Sequence, residues 1–238
     1  MRITSFKFIG LLGLFVIAFG FEGYADNREK RAVNGQFNEI AVSSGIDLII
    51  SQGEPTEIFV EGDDDILNKI KTEVKGNRLN IYFDSNFLSW AFNFKEAKVY
   101  VTTNDIQKLI ASAGSNIKCI GEINGESLVV TASGGADINI SLKAKDIIFN
   151  ASGGADIWVE GEADNVEARA SGGSDIMARK LIAQRVKAVA SGGADVVVFA
   201  EQEIEASASG GADVDYYGSP NAVRINESGG GEVNRHSN

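Results

Sequence analysis

The sequence contains few of the residues on which most enzymes and disulfide-bonded proteins depend. Its 238 residues include one cysteine, Cys119, and one histidine, His236, which stands in a polar tail. A single cysteine excludes an intramolecular disulfide, and an isolated histidine in a tail is a poor catalytic base. No phosphate-binding loop or dinucleotide fingerprint is present, and the repeated serines lack a histidine partner. We therefore predict that the protein has no catalytic residues and is not an enzyme.

Basic residues are also scarce. Lysine and arginine number 22 against 33 aspartates and glutamates, which gives a net charge of −11 at pH 7. Nucleic-acid binding depends on basic patches, so we expect no nucleic-acid partner. An acidic chain of this kind is favoured for solubility and for attraction of divalent cations.

One uncharged apolar run stands near the start of the sequence. Two basic residues precede the stretch from Phe8 to Phe21, and Gly23 and Ala25 place small side chains where a signal peptidase cuts. The run has 14 residues, whereas a membrane-spanning helix needs about 20. The pattern predicts a signal peptide at residues 1–25 and a mature chain without a membrane span. The protein is then exported to the periplasm, the outer-membrane surface or the medium.

A seven-residue phrase returns every 18 to 21 residues along most of the remaining chain. It reads Ala-Ser-Gly-Gly-Ala-Asp-Ile with small variations. The closest copies begin at Ala132, Ala151, Ala170, Ala190 and Ala208, and looser copies begin at Ala111 and Glu227. A fixed period of this length is typical of stacked units, none of which can bury its apolar face alone.

Apolar side chains alternate with polar ones ahead of each copy. Positions −5, −3 and −1 from the motif serine are apolar, as at Leu128, Val130 and Ala132, and another apolar residue follows at position +5. This alternation is typical of strands with one buried face, and the glycine pair suits a sharp corner. The predicted fold is all-β: a parallel β-helix, or solenoid, of about 19-residue coils. We expect right-handed coils, the usual sense of parallel crossovers.

The chain before the regular repeats is divided by its composition. Residues 26–36 are polar and are predicted to form a flexible N-terminal segment. A single domain follows over residues 37–235. Its first part, 37–103, is predicted to contain irregular coils, and its second part, 104–235, regular ones.

A short helix is predicted within the irregular part. The acidic triplet that begins at Asp63 precedes Ile66, Leu67, Ile70 and Val74, whose spacing is helical. Acidic residues also suit the positive end of a helix dipole, so a solvated helix start explains the triplet better than a metal site.

An aromatic segment interrupts the chain before the regular coils. It contains Phe87, Trp90, Phe92 and Phe94. Two interpretations are open: a lid that covers the end or side of the solenoid, or an exposed contact surface for a sugar or a protein partner.

The motif aspartates are predicted to form a column. Asp137, Asp156, Asp175, Asp195 and Asp213 occupy one position of consecutive coils, so neighbours lie about 4.8 Å apart. Their carboxylates can accept hydrogen bonds from N–H groups at the corner, or alternatively hold calcium between them. Corner capping is the favoured interpretation, and the sequence predicts no cofactor.

Several features together resemble the head GIN domain family, whose members are known as "putative auto-transporter adhesins" of Bacteroidetes and related Gram-negative bacteria. They are the exported start, the Gly45-Ile46-Asp47 phrase, the strand at Leu79 to Ile81 and the serial Ala-Ser-Gly-Gly-Ala-Asp-Ile coils. The resemblance covers about residues 33–235. It implies a β-helical fold and a cell-envelope or secreted location, and it supplies no catalytic residues.

The first functional hypothesis is a non-catalytic exported protein of the cell envelope, either an adhesin or a structural protein. Its expected partners are surface glycans or envelope proteins, and the sequence leaves the oligomeric state open. The alternative is a calcium-dependent, polysaccharide-processing β-helix enzyme.

Overall fold

The computed structural model describes residues 28–84 and 96–237. Within them the chain forms one sheet-rich stack with a single short helix. In chain order the elements are β1 (Arg28–Arg31), β2 (Glu39–Val42), β3 (Asp47–Gln52), β4 (Glu57–Glu61), α1 (Asp64–Leu67), β5 (Ile70–Lys75), β6 (Arg78–Phe83), β7 (Lys98–Thr103), β8 (Lys108–Ser112), β9 (Asn116–Ser133), β10 (Asp137–Ser152), β11 (Asp156–Gly172), β12 (Asp175–Gly192), β13 (Asp195–Gly210), β14 (Asp213–Tyr217), β15 (Ala222–Ser228) and β16 (Glu232–Arg235).

The regular part is a β-solenoid of about 7 turns with coils of about 19 residues, as the repeat predicts. Each strand from β9 to β13 makes one coil and pairs in parallel with the next, so that equivalent motif positions face each other. Pairing continues around the polar corner after residue 142 and stops at the glycine pair. Each coil is therefore one bent strand.

The coil has two opposed faces. The front face consists of β3, the first halves of β9 to β13, and β14 and β16; the back face consists of β2, β8, the second halves of β9 to β13, and β15. Residues just after the motif aspartate lie on the front face, and residues just before the motif serine lie on the back face.

The core is the space between these faces, and the sequence pattern predicts its side chains correctly. Positions −5, −3 and −1 are buried in the five coils with the closest motif copies, and Phe149 and Val130 are 0% exposed. The alanine that follows the glycine pair is buried as well. Ser115 and Ser174 take its place in two coils, and both are 0% exposed. The Ser174 hydroxyl donates to the Ser171 carbonyl at 2.9 Å, which satisfies a buried polar group inside the core.

The glycine pair makes the corner at which one coil passes to the next. Gly134 and Gly135 have φ angles of 61° and 72°, in the left-handed region that side chains resist. The Gly134 N–H donates to the Ser152 carbonyl of the following coil at 3.2 Å. The corners of successive coils are thus joined by backbone hydrogen bonds.

The N-terminal end of the stack is covered by antiparallel strands. β4 pairs with β7 and β1 pairs with β4 on one side, while β5 pairs with β6 on the other. Residues 28–31 form β1, although their polar composition placed them in a flexible segment. Cross-strand ion pairs accompany this pairing, with Arg28 2.8 Å from Glu61 and Lys30 2.6 Å from Glu57.

The helix is shorter than the apolar spacing predicts. α1 ends at Leu67, and Ile70 and Val74 belong to β5 instead. β5 forms a hairpin with β6 through Gly76, whose φ of 65° suits the first position of a two-residue loop. The hairpin gives every residue from 70 to 75 a strand partner, so non-local pairing outweighs the local helical spacing. No helix in the described ranges has the length and hydropathy needed to cross a bilayer.

The other end of the stack is formed by β15 and β16. Val223 and Ile225 are 45% and 48% exposed, although their register partners in the preceding coil, Ile204 and Ala206, are buried. Among residues 28–84 and 96–237, no strand pairs beyond β15 on the back face.

Candidate functional site

The motif aspartates are aligned as the period predicts. Asp137, Asp156, Asp175, Asp195 and Asp213 are register partners from coil to coil. Asn116 precedes them in the column, and its side-chain amide donates to the Asp47 carboxylate at 2.7 Å.

Two of these carboxylates accept a hydrogen bond from the backbone of the next coil. The Asp175 N–H donates to Asp156 Oδ1 and the Asp195 N–H to Asp175 Oδ1, each at 3.3 Å. Burial, followed by the neighbouring Asp175 carboxylate, raises the pKa of Asp156 and of Asp195 above its ordinary value. In the part of the chain that the structure describes, no group of three or more Asp, Glu, His or Cys is placed to hold a metal ion. These contacts support the capping role of the column.

Replacing Asp156 with asparagine is expected to raise the melting temperature at pH 7 by about 1–3 °C. Asparagine keeps an oxygen to accept the Asp175 N–H and removes a repulsion of at most about 1 kcal/mol. Because folding raises the pKa of Asp156, its ionisation costs stability, and this cost disappears as the pH falls through the raised pKa. The difference between variant and wild type should therefore vanish at low pH, as measured by calorimetry from pH 3 to pH 7.

Asp164→Asn, at an exposed corner outside the column, is the matched control and should leave the melting temperature unchanged. A fall of several degrees in Asp156→Asn would contradict the destabilising effect of the Asp156 charge. The calcium alternative predicts instead that calcium raises the melting temperature of the wild type and that Asp156→Asn reduces this rise.

A second feature of the coils is a cleft of about 610 Å³ on the front face, here called the Trp158 cleft. Trp158 is 40% exposed, whereas its neighbour Ile157 is fully buried, so the indole points away from the core. It lies in register between Asn139 and Met177 of the adjacent coils. The lining residues are Asn139, Trp158, Val159, Glu160, Met177, Arg179, Lys180, Val197 and Tyr217.

A β-bulge supplies the cations of this cleft. The register between β12 and β13 passes from Ala178 opposite Val198 to Ile182 opposite Phe199, which leaves residues 179–181 without partners in β13. Bulges redirect side chains locally. The guanidinium carbon of Arg179 lies 4.0 Å from the centroid of the Tyr217 ring, two coils away.

One cation of the cleft lies near a carboxylate and the other does not. Lys180 Nζ lies 3.9 Å from a Glu160 oxygen, whereas within residues 28–84 and 96–237 the Arg179 guanidinium has no carboxylate partner. Tyr217 also stacks on His236, with ring centroids 5.1 Å apart, and His236 Nε2 is 2.8 Å from Asp215 Oδ1. The tyrosine beneath Arg179 is thus held by a second aromatic contact.

Two other clefts have polar groups that bond one another. In a cleft of about 770 Å³ at the N-terminal end, the Asn104 amide donates to Glu54 at 2.6 Å and the Asn77 amide to Asn38 at 3.0 Å. A back-face cleft of about 370 Å³ contains the ion pair of Lys187 with Glu205 at 2.6 Å. Of these three, the Trp158 cleft alone combines an exposed tryptophan with an unpaired arginine.

The contact surface suggested by the sequence, formed by Phe87, Trp90, Phe92 and Phe94, lies outside the described residues. Trp158 was missed by the sequence analysis, although its place one residue after the inward Ile157 is a signal of outward orientation. Coil length gives a weaker signal for the bulge: 20 residues separate Ser171 from Ser191, against 18 from Ser191 to Ser209.

Comparison with known proteins gives one family match and several similar folds. The family described as "Putative auto-transporter adhesin, head GIN domain" matches residues 36–220. No curated protein is significantly similar in sequence. The structure resembles a "putative adhesin" from Bacteroides fragilis with a TM-score of 0.82 and 23% identity, covering 88% of this chain and 96% of that one.

Two further solved structures share the architecture. A "putative lipid binding protein" from Parabacteroides distasonis has a TM-score of 0.66 and 17% identity, and the match covers 89% of this chain and 98% of that one. A "putative adhesin" from Parabacteroides merdae has the same TM-score and identity, with 88% and 95% covered. At these identities the similarity establishes the fold alone.

Proposed function

The chain belongs to the head GIN domain family, and on that basis we propose that it is an exported, non-catalytic adhesin of the cell envelope that binds surface glycans. The observation that carries this proposal is the Trp158 cleft, because it exposes an indole on a rigid paired sheet. Stacked coils hold their surface side chains on hydrogen-bonded strands, which position a binding site more firmly than loops do.

The lining of the cleft suits a sugar. A sugar ring has an apolar face of C–H groups and a rim of hydroxyls. An exposed indole offers a flat apolar surface on which the C–H face can pack. Asn139, Glu160 and Lys180 supply hydrogen-bond donors and acceptors for the hydroxyls. The same charged and amide groups make the cleft less suited to an apolar lipid chain, although one similar structure is named a "putative lipid binding protein".

The lining also favours binding over catalysis. Glycoside hydrolysis ordinarily uses two carboxyl groups on either side of the scissile bond. Glu160 is the single carboxylate among the residues that line the Trp158 cleft, and Lys180 is its nearest cation. These residues can hold and orient a sugar without cleaving it.

Replacing Trp158 with alanine is expected to reduce glycan binding at least about tenfold, because a well-packed aromatic contact contributes more than about 1.4 kcal/mol. Glycan arrays and adhesion to glycan-coated surfaces measure this change with the full exported chain. Ile120→Ala is the matched control, since Ile120 is 64% exposed and lies outside the cleft.

Trp90→Ala tests the contact surface suggested by the sequence in the same assays. Equal binding by Trp158→Ala and the wild type would contradict the placement of the site. Failure of the wild type to bind any glycan would contradict the adhesin function itself. Product formation from acidic polysaccharides, with or without calcium, would contradict the non-catalytic assignment.

A further inference from the structure

The Trp158 cleft carries an excess of positive charge on an acidic protein. The chain has a net charge of −11, yet Arg179 and Lys180 line the cleft with Glu160 as the single carboxylate. Lys180 is 3.9 Å from Glu160, so this pair is close to neutral. Arg179 is left as the surplus cation.

The position of Arg179 leaves its hydrogen-bonding edge available. Its guanidinium carbon lies 4.0 Å from the Tyr217 ring centroid, a distance at which the cation is attracted to the ring. Guanidinium N–H groups lie in the plane of the group, so stacking on a ring does not consume them. No hydrogen bond from Arg179 to another residue is found in the described ranges, and its N–H groups remain free to bind a carboxylate in bidentate fashion.

The bulge that presents Arg179 disrupts the regular pairing of the stack. Residues 179–181 lack partners in β13, although the flanking residues Ala178 and Ile182 are paired. The backbone of Arg179 therefore lies between paired residues, while its guanidinium packs on the Tyr217 ring. A cation held in this way before a ligand arrives favours tight binding.

The dimensions of the cleft suit a small saccharide. Its volume of about 610 Å³ falls within the range of about 300–1,000 Å³ typical of small-molecule sites. One ring can lie against Trp158, while a negatively charged substituent reaches Arg179 and hydroxyls reach Asn139 or Glu160.

We propose that the Trp158 cleft is selective for carboxylated sugars, with Arg179 binding the sugar carboxylate while the ring packs on Trp158. This inference rests on the proposed glycan-binding function and specifies the ligand class of the same site. A single charged group bound to a fork of N–H donors discriminates strongly against the uncharged analogue, because the donors are then left without a partner.

Calorimetric titration with matched acidic and neutral sugars tests the selectivity. The pairs are trigalacturonic acid with its methyl ester and sialyllactose with its methyl ester. For at least one pair we expect the acid to bind about ten- to a hundredfold more tightly than its neutral partner, the range of a charge-assisted hydrogen bond. A sulfated oligosaccharide serves as an anion without a carboxylate and should bind more weakly than the acid.

Two substitutions test the role of Arg179. Arg179→Gln should remove the preference, so that the acid binds no more tightly than its neutral partner. Arg179→Lys keeps the charge but loses the fork, so it should give an intermediate affinity. Arg185→Gln, an exposed arginine on the back face, is the control and should not alter either affinity. Unchanged melting temperatures show that the variants fold.

Several results would overturn this inference. They are equal affinities for the acidic and neutral members of both pairs, no binding of either acid, equal binding of the sulfated sugar, or an Arg179→Gln variant with undiminished preference for the acid. If neutral glycans bind at Trp158 without such a preference, the adhesin function stands and the carboxylate selectivity fails. If no glycan binds on the arrays, both fail.

Discussion

Replacing Gly161 with alanine is expected to lower the free energy of unfolding by about 4 kcal/mol or more. Gly161 has a φ of 130° and lies in register with Leu142 of the preceding coil. A Cβ at this position would lie 1.8 Å from the Leu142 carbonyl oxygen and 2.8 Å from its carbonyl carbon. Both are backbone atoms of a paired strand, so the clash can be relieved only by separating the two coils.

This effect exceeds ordinary overpacking, which costs about 1–3 kcal/mol where side chains can move. A loss of about 4 kcal/mol in a protein of this size corresponds to a fall in melting temperature of about 8–16 °C, measurable by calorimetry. Gly125→Ala is the matched control, because a Cβ there has no atom within 4 Å, and it should change the stability by less than about 0.5 kcal/mol.

A third glycine, Gly76, distinguishes the cost of the steric clash from the cost of a positive φ angle. Gly76 also has a positive φ, of 65°, but a Cβ there would meet nothing within 4 Å. Gly76→Ala should therefore cost only about 1–2 kcal/mol, the cost of the left-handed conformation. A Gly161→Ala protein that melts within about 2 °C of the wild type would contradict the close contact of neighbouring coils.

Replacing Phe149 with alanine is expected to lower the free energy of unfolding by about 3–5 kcal/mol, the usual cost of removing a buried aromatic ring. Phe149 is 0% exposed and has Val130 and Ala168 as its register partners. The small side chain of Ala168 cannot fill the space that the ring leaves. The cavity should persist, and thermal or urea unfolding will measure its cost.

Trp158→Ala is the control for this prediction, since it removes a larger ring from a position that is 40% exposed. We expect it to change the stability by less than about 1 kcal/mol. Similar losses in the two variants would contradict the assignment of Phe149 to the core and Trp158 to the surface. The two variants also distinguish an effect on stability from an effect on binding, because Trp158→Ala should weaken glycan binding without a large loss of stability.

The architecture of the regular coils could be predicted because each unit repeats the same pattern of apolar residues, glycines and aspartate. The apolar positions before each motif, such as Leu128 and Val130, recur at a fixed phase and are buried as predicted. The aspartate column follows from the same period. The prediction failed where the repeat is absent: the spacing of Ile66, Leu67, Ile70 and Val74 is helical, but the hairpin with β6 makes Ile70 and Val74 part of a strand.

The Trp158 cleft could not be derived in the same way. It depends on the bulge at residues 179–181, which brings Arg179 over Tyr217 from two coils away. A register shift of this kind depends on pairing between strands, and motif spacing records only the total length of a coil. The outward position of Trp158 was readable from its parity, but its neighbours in space were not.

Glycan binding at Trp158 can be measured directly through the fluorescence of this residue. The chain has two tryptophans, Trp90 and Trp158, so a Trp90→Phe variant leaves Trp158 as the only indole. We predict that titration of this variant with trigalacturonic acid or sialyllactose, whichever binds in calorimetry, changes the emission of Trp158 in a saturable manner with the same dissociation constant. Calorimetric binding without any change in Trp158 emission would contradict the assignment of the binding site to this cleft.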